Sequence, residues 1–177
     1  MMDKLNRQSN HSMGRWMSGV AVLFASLSAI VMYSCSSIDC PVQNTVSVQY
    51  EIRDKAGDAL SITDSLSIIT MRQDGEYVLL NRLIGKSSFS LPISYSHPED
   101  VLFFCFTDSV KTLVDTVWIK KDDIPHFESV DCSAAFFHEL TNVRHTHNAI
   151  DSLVLINTSV NYDVETVHFY LYPKTGN

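Results

Sequence analysis

Histidine is where this sequence concentrates side chains able to do chemistry: four of its seven histidines, His126, His138, His145 and His147, fall within 22 residues. In His145-Thr146-His147 an extended backbone puts both imidazoles on one face, because strand side chains repeat every two residues. Neutral imidazole is a common zinc or copper ligand, so these four residues are the candidate metal ligands. No carboxylate or cysteine stands at a supporting spacing. The plainer reading has loop histidines in solvent, with His126 or His138 hydrogen-bonded locally, and no cofactor is expected. Catalytic residues are not assigned, because the sequence holds no G-x-S-x-G, H-E-x-x-H, C-x-x-C or G-x-G-x-x-G. Gly85-Lys86-Ser87 resembles the end of a phosphate loop, but Leu80 occupies the place of the leading glycine, so it reads as a turn. A dispersed Ser/His/Asp triad stays open, since such triads are recognised in space and not by spacing.

A second pattern is Asp followed by a hydroxyl residue and an apolar one. It occurs at Asp64-Ser65-Leu66, Asp108-Ser109-Val110, Asp115-Thr116-Val117 and Asp151-Ser152-Leu153. It resembles the acceptor motif of Bacteroidetes protein O-glycosylation, which implies modification at Ser65, Ser109, Thr116 or Ser152. The alternative is that Asp and a hydroxyl simply precede strands. A bulky polar modification needs a surface position.

The amino terminus says where these residues operate. Lys4, Arg7 and Arg15 precede an uncharged apolar run from Gly19 to Met32. About 14 residues at 1.5 Å each cover roughly 21 Å, short of a hydrocarbon core of roughly 30 Å, so the run reads as a signal segment and not a membrane span. It ends in Ser34-Cys35-Ser36, which resembles the lipobox of bacterial lipoproteins. That resemblance implies cleavage after residue 34 and an acylated, palmitate-bearing Cys35, with 35–45 as tether. An uncleaved anchor and plain secretion are the alternatives. The mature chain keeps 10 basic and 19 acidic side chains, a net charge of −9. Such a domain repels phosphate surfaces, so nucleic acid is not a partner and the membrane contact comes from acyl chains. Ser36-Ser37-Ile38 carries no charge, and surface-exported relatives tend to have acidic residues there. The expected location is therefore the outer membrane, facing the periplasm.

Lipidation of Cys35 leaves Cys40, Cys105 and Cys132, of which at most two can pair within one chain. Cys105 lies inside Phe103-Phe104-Cys105-Phe106, where a free thiol acts as a small hydrophobe. A Cys40–Cys132 disulfide is expected in an oxidising compartment, against three thiols that merely pack.

From Thr45 onward Thr, Val, Ile, Tyr and Phe recur in runs of five to eight broken by Gly, Pro, Asn, Asp and Ser. Strands are expected near 46–53, 61–71, 77–80, 87–92, 101–107, 113–120, 152–157 and 167–172. The segments 54–58 and 73–76 supply Gly57 and Gly75 for turns between neighbouring strands. Val101-Leu102-Phe103-Phe104-Cys105-Phe106 is apolar on both faces and is expected at the middle of the core, covered on both sides. In 133–140, Phe136, Phe137 and Leu140 fall at helical spacing after Asp131 and Ser133, so a two-turn helix is expected there. The fold class is all-β: an immunoglobulin-like or related antiparallel sandwich of about eight strands over 46–173, with one short helix.

The chain also resembles a set of small Bacteroidetes lipoproteins of unknown function. The likeness is carried by Asp39-Cys40-Pro41, Asn44-Thr45-Val46, Ser88-Phe89-Ser90-Leu91-Pro92, Pro98-Glu99-Asp100 and Asp115-Thr116-Val117-Trp118, and continues through Pro125 to Cys132 and Asn148 to Ser152. It implies an envelope location and a β-rich domain, without an activity. The expected function is an acyl-anchored binding or structural module with an envelope protein or glycan partner. An envelope hydrolase with a dispersed site, or a histidine metal binder, is the alternative.

Overall fold

In β1 (Ser47–Ile52) Val48, Tyr50 and Ile52 are buried while the residues between them are not, the two-residue alternation of a strand with one face on a core. The same alternation recurs through most of the chain. The computed structural model describes residues 45–129 and 131–174. Its further elements are β2 (Ser65–Arg72), β3 (Gly75–Leu83), β4 (Ser88–Pro92), β5 (Glu99–Thr107), β6 (Thr112–His126), β7 (Ala135–His145), β8 (Ile150–Leu155), β9 (Ser159–Val160) and β10 (Phe169–Pro173). They form a four-stranded sheet in the order β4-β1-β10-β8 and a six-stranded sheet in the order β3-β2-β5-β6-β7-β9. Neighbours are antiparallel except β1 and β10, which run parallel.

The two sheets meet through aromatic rings. Tyr50 stacks on Phe89 at 4.7 Å and on Phe169 at 5.2 Å within the smaller sheet, and Phe104 of β5 meets Tyr50 edge-on at 6.2 Å from the larger one. Around these rings Ile52, Leu66, Ile68, Leu91, Val117, Ile119, Leu140, Ile150 and Leu171 form one continuous core. The turns behave as expected of glycine: Gly57 (φ 91°) and Gly75 (φ 122°) take up positive φ. The turn at 73–76 joins the paired strands β2 and β3. The one at 54–58 instead folds the end of β1 back through an Arg53–Ala59 bridge before the chain crosses to the other sheet. Gly85 (φ 66°) lies in the β3–β4 connection, a turn and not a phosphate cradle.

Two expectations are corrected. The helix over 133–140 is absent: residues 135–145 are strand β7, paired with an extension of β6 that reaches His126. A register shift between Lys120 and Lys121 leaves one extra residue on β7, at Thr141. Phe136 and Leu140 lie on one face of β7 and Phe137 on the other, so apolar residues on both faces of a strand imitate helical spacing. The second correction concerns β5. Leu102, Phe104 and Phe106 are buried, but Val101, Phe103 and Cys105 are only half-buried, on the outer face of the larger sheet. There they sit beside Ile69, Val114 and Trp118, with the Arg144 guanidinium 4.1 Å above the Trp118 ring.

Candidate functional site

Asp115 carries the densest set of charge-assisted bonds among the described residues. It sits in β6 with no solvent exposure. Its Oδ1 accepts from the Thr146 hydroxyl at 2.6 Å and the Asn148 N–H at 2.7 Å, and its Oδ2 from the N–H groups of Ala149 at 2.6 Å and Ile150 at 2.7 Å. The Thr116 N–H in turn donates to the Thr146 hydroxyl at 2.9 Å. Burial alone would raise this carboxyl's pKa, but the four donors outweigh it and hold it below the usual carboxylate value. The arrangement fixes the segment 146–149 by which the chain leaves the six-stranded sheet at β7 and enters the four-stranded one at β8. Its chemistry is that of a splice between sheets.

A second polar cluster lies where β6 and β7 run past the start of β5. The fully buried Lys121 ammonium donates to the His97 carbonyl and stands 3.6 Å from Asp123 Oδ1. Asp123 Oδ1 is also 2.7 Å from His138 Nδ1, and His138 is buried. Burial lowers the His138 pKa, and Lys121 adds to that, against the pull of Asp123. The His–Asp half of a catalytic triad is thus present, but it is spent on neutralising a buried lysine and closing the loop 93–98 onto the sheet.

His168 is the residue sequence reasoning passed over. Its ring has no exposure. Nδ1 accepts the Gln49 N–H of β1 at 3.0 Å, and Nε2 donates to the Ser159 carbonyl of β9 at 3.1 Å, so one neutral imidazole ties the smaller sheet to the larger. Burial lowers its pKa, against the Ser159 carbonyl, which favours the charged ring. Protonation would also cancel the bond from Gln49, since Nδ1 would become a donor. The sign of the linkage follows. Above about pH 6.5 the ring is neutral folded or unfolded; below it the unfolded chain takes up the proton first, so stability falls as pH falls. Urea midpoints measured between pH 7.5 and pH 5 should therefore drop on the acid side, and His168→Gln should flatten the profile as it lowers the midpoint at pH 7.5. A wild-type profile flat down to pH 5 would contradict this.

The four candidate metal ligands separate into three places. His145 and His147 come together as expected, ring centroids 4.3 Å apart. His126 stacks on Phe137 at 4.2 Å and pairs with Glu128 at 3.0 Å, while His138 belongs to Asp123. Among the described residues no group of three or more His, Cys, Asp or Glu side chains could hold a metal ion. Of the hydroxyls, Ser109 is exposed in the β5–β6 turn, Ser65 and Ser152 are half-buried, and Thr116 is half-buried in a central strand beside buried Asp115. Cys35 and Cys40 lie outside the described residues. Cys132 is engaged with a partner and does not titrate as a thiol. Cys105 is free, with its pKa raised by burial and then by Glu76.

No curated protein and no solved structure matches the chain. The profile of DUF6452, a family of unknown function, matches residues 65–173, from the first residue of β2 to the last of β10, and the chain belongs to that family.

Proposed function

We propose that this chain is a lipoprotein of the cell envelope, acylated at Cys35 and held at the outer membrane with its β-sandwich facing the periplasm, where it acts as a binding or structural module. The observation that carries the module reading is the outer face of the six-stranded sheet. Ile69, Val101, Phe103, Val114 and Trp118 form an apolar stripe across the three strands β2, β5 and β6 there, the kind of surface that meets a protein partner. A hydrolase is the weaker reading, because the buried Asp115, His138 and His168, and Asp123 beside His138, are committed to bonds within the fold. The anchor rests on the uncharged run Gly19 to Met32 ending at Ser34-Cys35. Firm attachment then needs more than one acyl chain.

Fractionation of cells producing wild type and Cys35→Ala tests it. Wild type should sediment with outer membrane and resist protease added to intact cells, and the alanine variant should leave that fraction or accumulate unprocessed. Unchanged partition of the variant with globomycin-insensitive processing would overturn the anchor, and complete digestion on intact cells would overturn the periplasmic orientation.

A further inference from the structure

Aromatic side chains gather at one end of the sandwich, and it is the end at which the chain arrives from Cys35. Ser47 pairs with Pro92, and the Ile93 N–H donates to the Val46 carbonyl at 3.3 Å, so the first described residues lie two positions from Tyr95. Tyr95 stacks on Phe136 at 5.2 Å. In the β6–β7 ladder Phe136 pairs with Pro125 and Phe137 with Ile124 on opposite faces of the two strands, so Tyr95 covers one face while Tyr162 meets the Phe137 ring edge-on at 5.0 Å on the other. Phe127 continues from His126 into the loop. Phe127 is 65% exposed, Tyr95 57% and Ile124 47%. Single exposed apolar residues are ordinary, but several on one end, beside the tether, are not.

The ten residues from Cys35 to Asn44 span at most roughly 33–36 Å when fully extended. An anchor at Cys35 therefore keeps this end close to the bilayer. The opposite end, with the exposed turn at Ser109 and Val110, lies a whole strand away: β6 has 15 residues, roughly 50 Å at about 3.3 Å each. Tyrosine rings, with a hydroxyl edge and an apolar body, suit the headgroup boundary, and Phe127 and Ile124 add apolar area. Exposed Asp122, Glu128 and Asp131 at the same end disfavour anionic lipid.

We propose that the end of the β6–β7 ribbon, with Tyr95 on one face, Ile124 and Tyr162 on the other and Phe127 in the loop beyond, rests end-on in the interface of a zwitterionic bilayer, orienting the sandwich with Ser109 and Val110 pointing away. The proposal rests on the acyl anchor at Cys35 and adds an orientation to it.

The test uses the lipidated mature chain with Trp118→Phe, which removes the one tryptophan after residue 34, and a single reporter introduced as Phe127→Trp, Tyr95→Trp or, for comparison, Val110→Trp. Each is reconstituted into vesicles of phosphatidylethanolamine and phosphatidylcholine carrying a lipid with a nitroxide near the headgroup. All three positions are exposed, so tryptophan is tolerated, and far-ultraviolet circular dichroism confirms the fold. Flotation reports the anchor independently of quenching. Protein that floats with quenching at 127 and 95 several-fold above that at 110 supports the proposal. Protein that floats with equal quenching at the three positions overturns it and leaves the anchor standing. Protein that fails to float overturns the anchor and this orientation with it.

Discussion

Asp115→Ala should destabilise the domain by at least about 3 kcal/mol in urea denaturation. The side chain is fully buried and accepts four hydrogen bonds, three of them from the backbone N–H groups of Asn148, Ala149 and Ile150. Truncation removes the charge and leaves these donors stranded, and each buried unsatisfied group costs about 1–3 kcal/mol. Against a total stability of about 5–15 kcal/mol, that is a large share. Asp115→Asn keeps the shape but turns an NH2 toward N–H donors, so it should recover only part of the loss, while Thr146→Val, which deletes one bond, should cost about 1 kcal/mol. A graded order of Ala, Asn and Val in midpoint denaturant is expected. An Asp115→Ala protein as stable as wild type would remove the splice from the account. The depressed carboxyl adds a pH signature: its contribution is present above the ordinary carboxylate value of about 3.9 and is lost as pH falls through the lower folded value.

Reduction, or Cys40→Ser with Cys132→Ser, should lower stability by about 4 kcal/mol in the chain-entropy model, because a Cys40–Cys132 bridge closes a loop of about 90 residues. We infer this pairing from the state of the other cysteines. Cys105 is free, and its half-buried thiol, 3.9 Å from the Phe103 carbonyl and shifted toward the neutral form, is poorly placed for exchange. Cys132 is engaged. The bridge would hold the tether to the loop beyond β6, at the aromatic end of the sandwich. Peptide mapping without reduction decides it. A linked pair of peptides containing residues 40 and 132 is expected, and alkylation of both cysteines in the oxidised protein, or Cys105 as a bridge member, would contradict it.

Strands such as β1, β4 and β10 were legible in the sequence because one face is buried and one is not, so Val48, Tyr50 and Ile52 alternate with polar residues. Where apolar residues stand on both faces of a strand the pattern misleads. Phe136 and Leu140 share one face of β7 and Phe137 lies on the other, and together they give the helical spacing read at 133–140. The extension of β6 through Asp122, Asp123 and Pro125 looks like a loop, yet past β5 it has a neighbour on β7 alone, so charged residues and a proline are tolerated there. β5 was read as covered on both faces because Val101, Phe103 and Cys105 are apolar; no local signal distinguishes a second core from an exposed apolar face. The candidate histidines illustrate the same limit: sequence proximity brought His145 to His147, but His126 stacks on Phe137 and His138 bonds to Asp123, neighbours that the β6–β7 pairing supplies. His168 escaped notice because its donor, the Gln49 N–H of β1, and its acceptor, the Ser159 carbonyl of β9, lie 119 and 9 residues away.

The central claim, a module held by an acylated Cys35, is tested most directly by the intact mass of the mature chain purified from outer membrane. The expected result is a polypeptide beginning at residue 35, heavier than its sequence by acyl chains that map to the amino-terminal peptide. A mature chain that retains residues 1–34, or one that begins elsewhere with no added mass on Cys35, would contradict it.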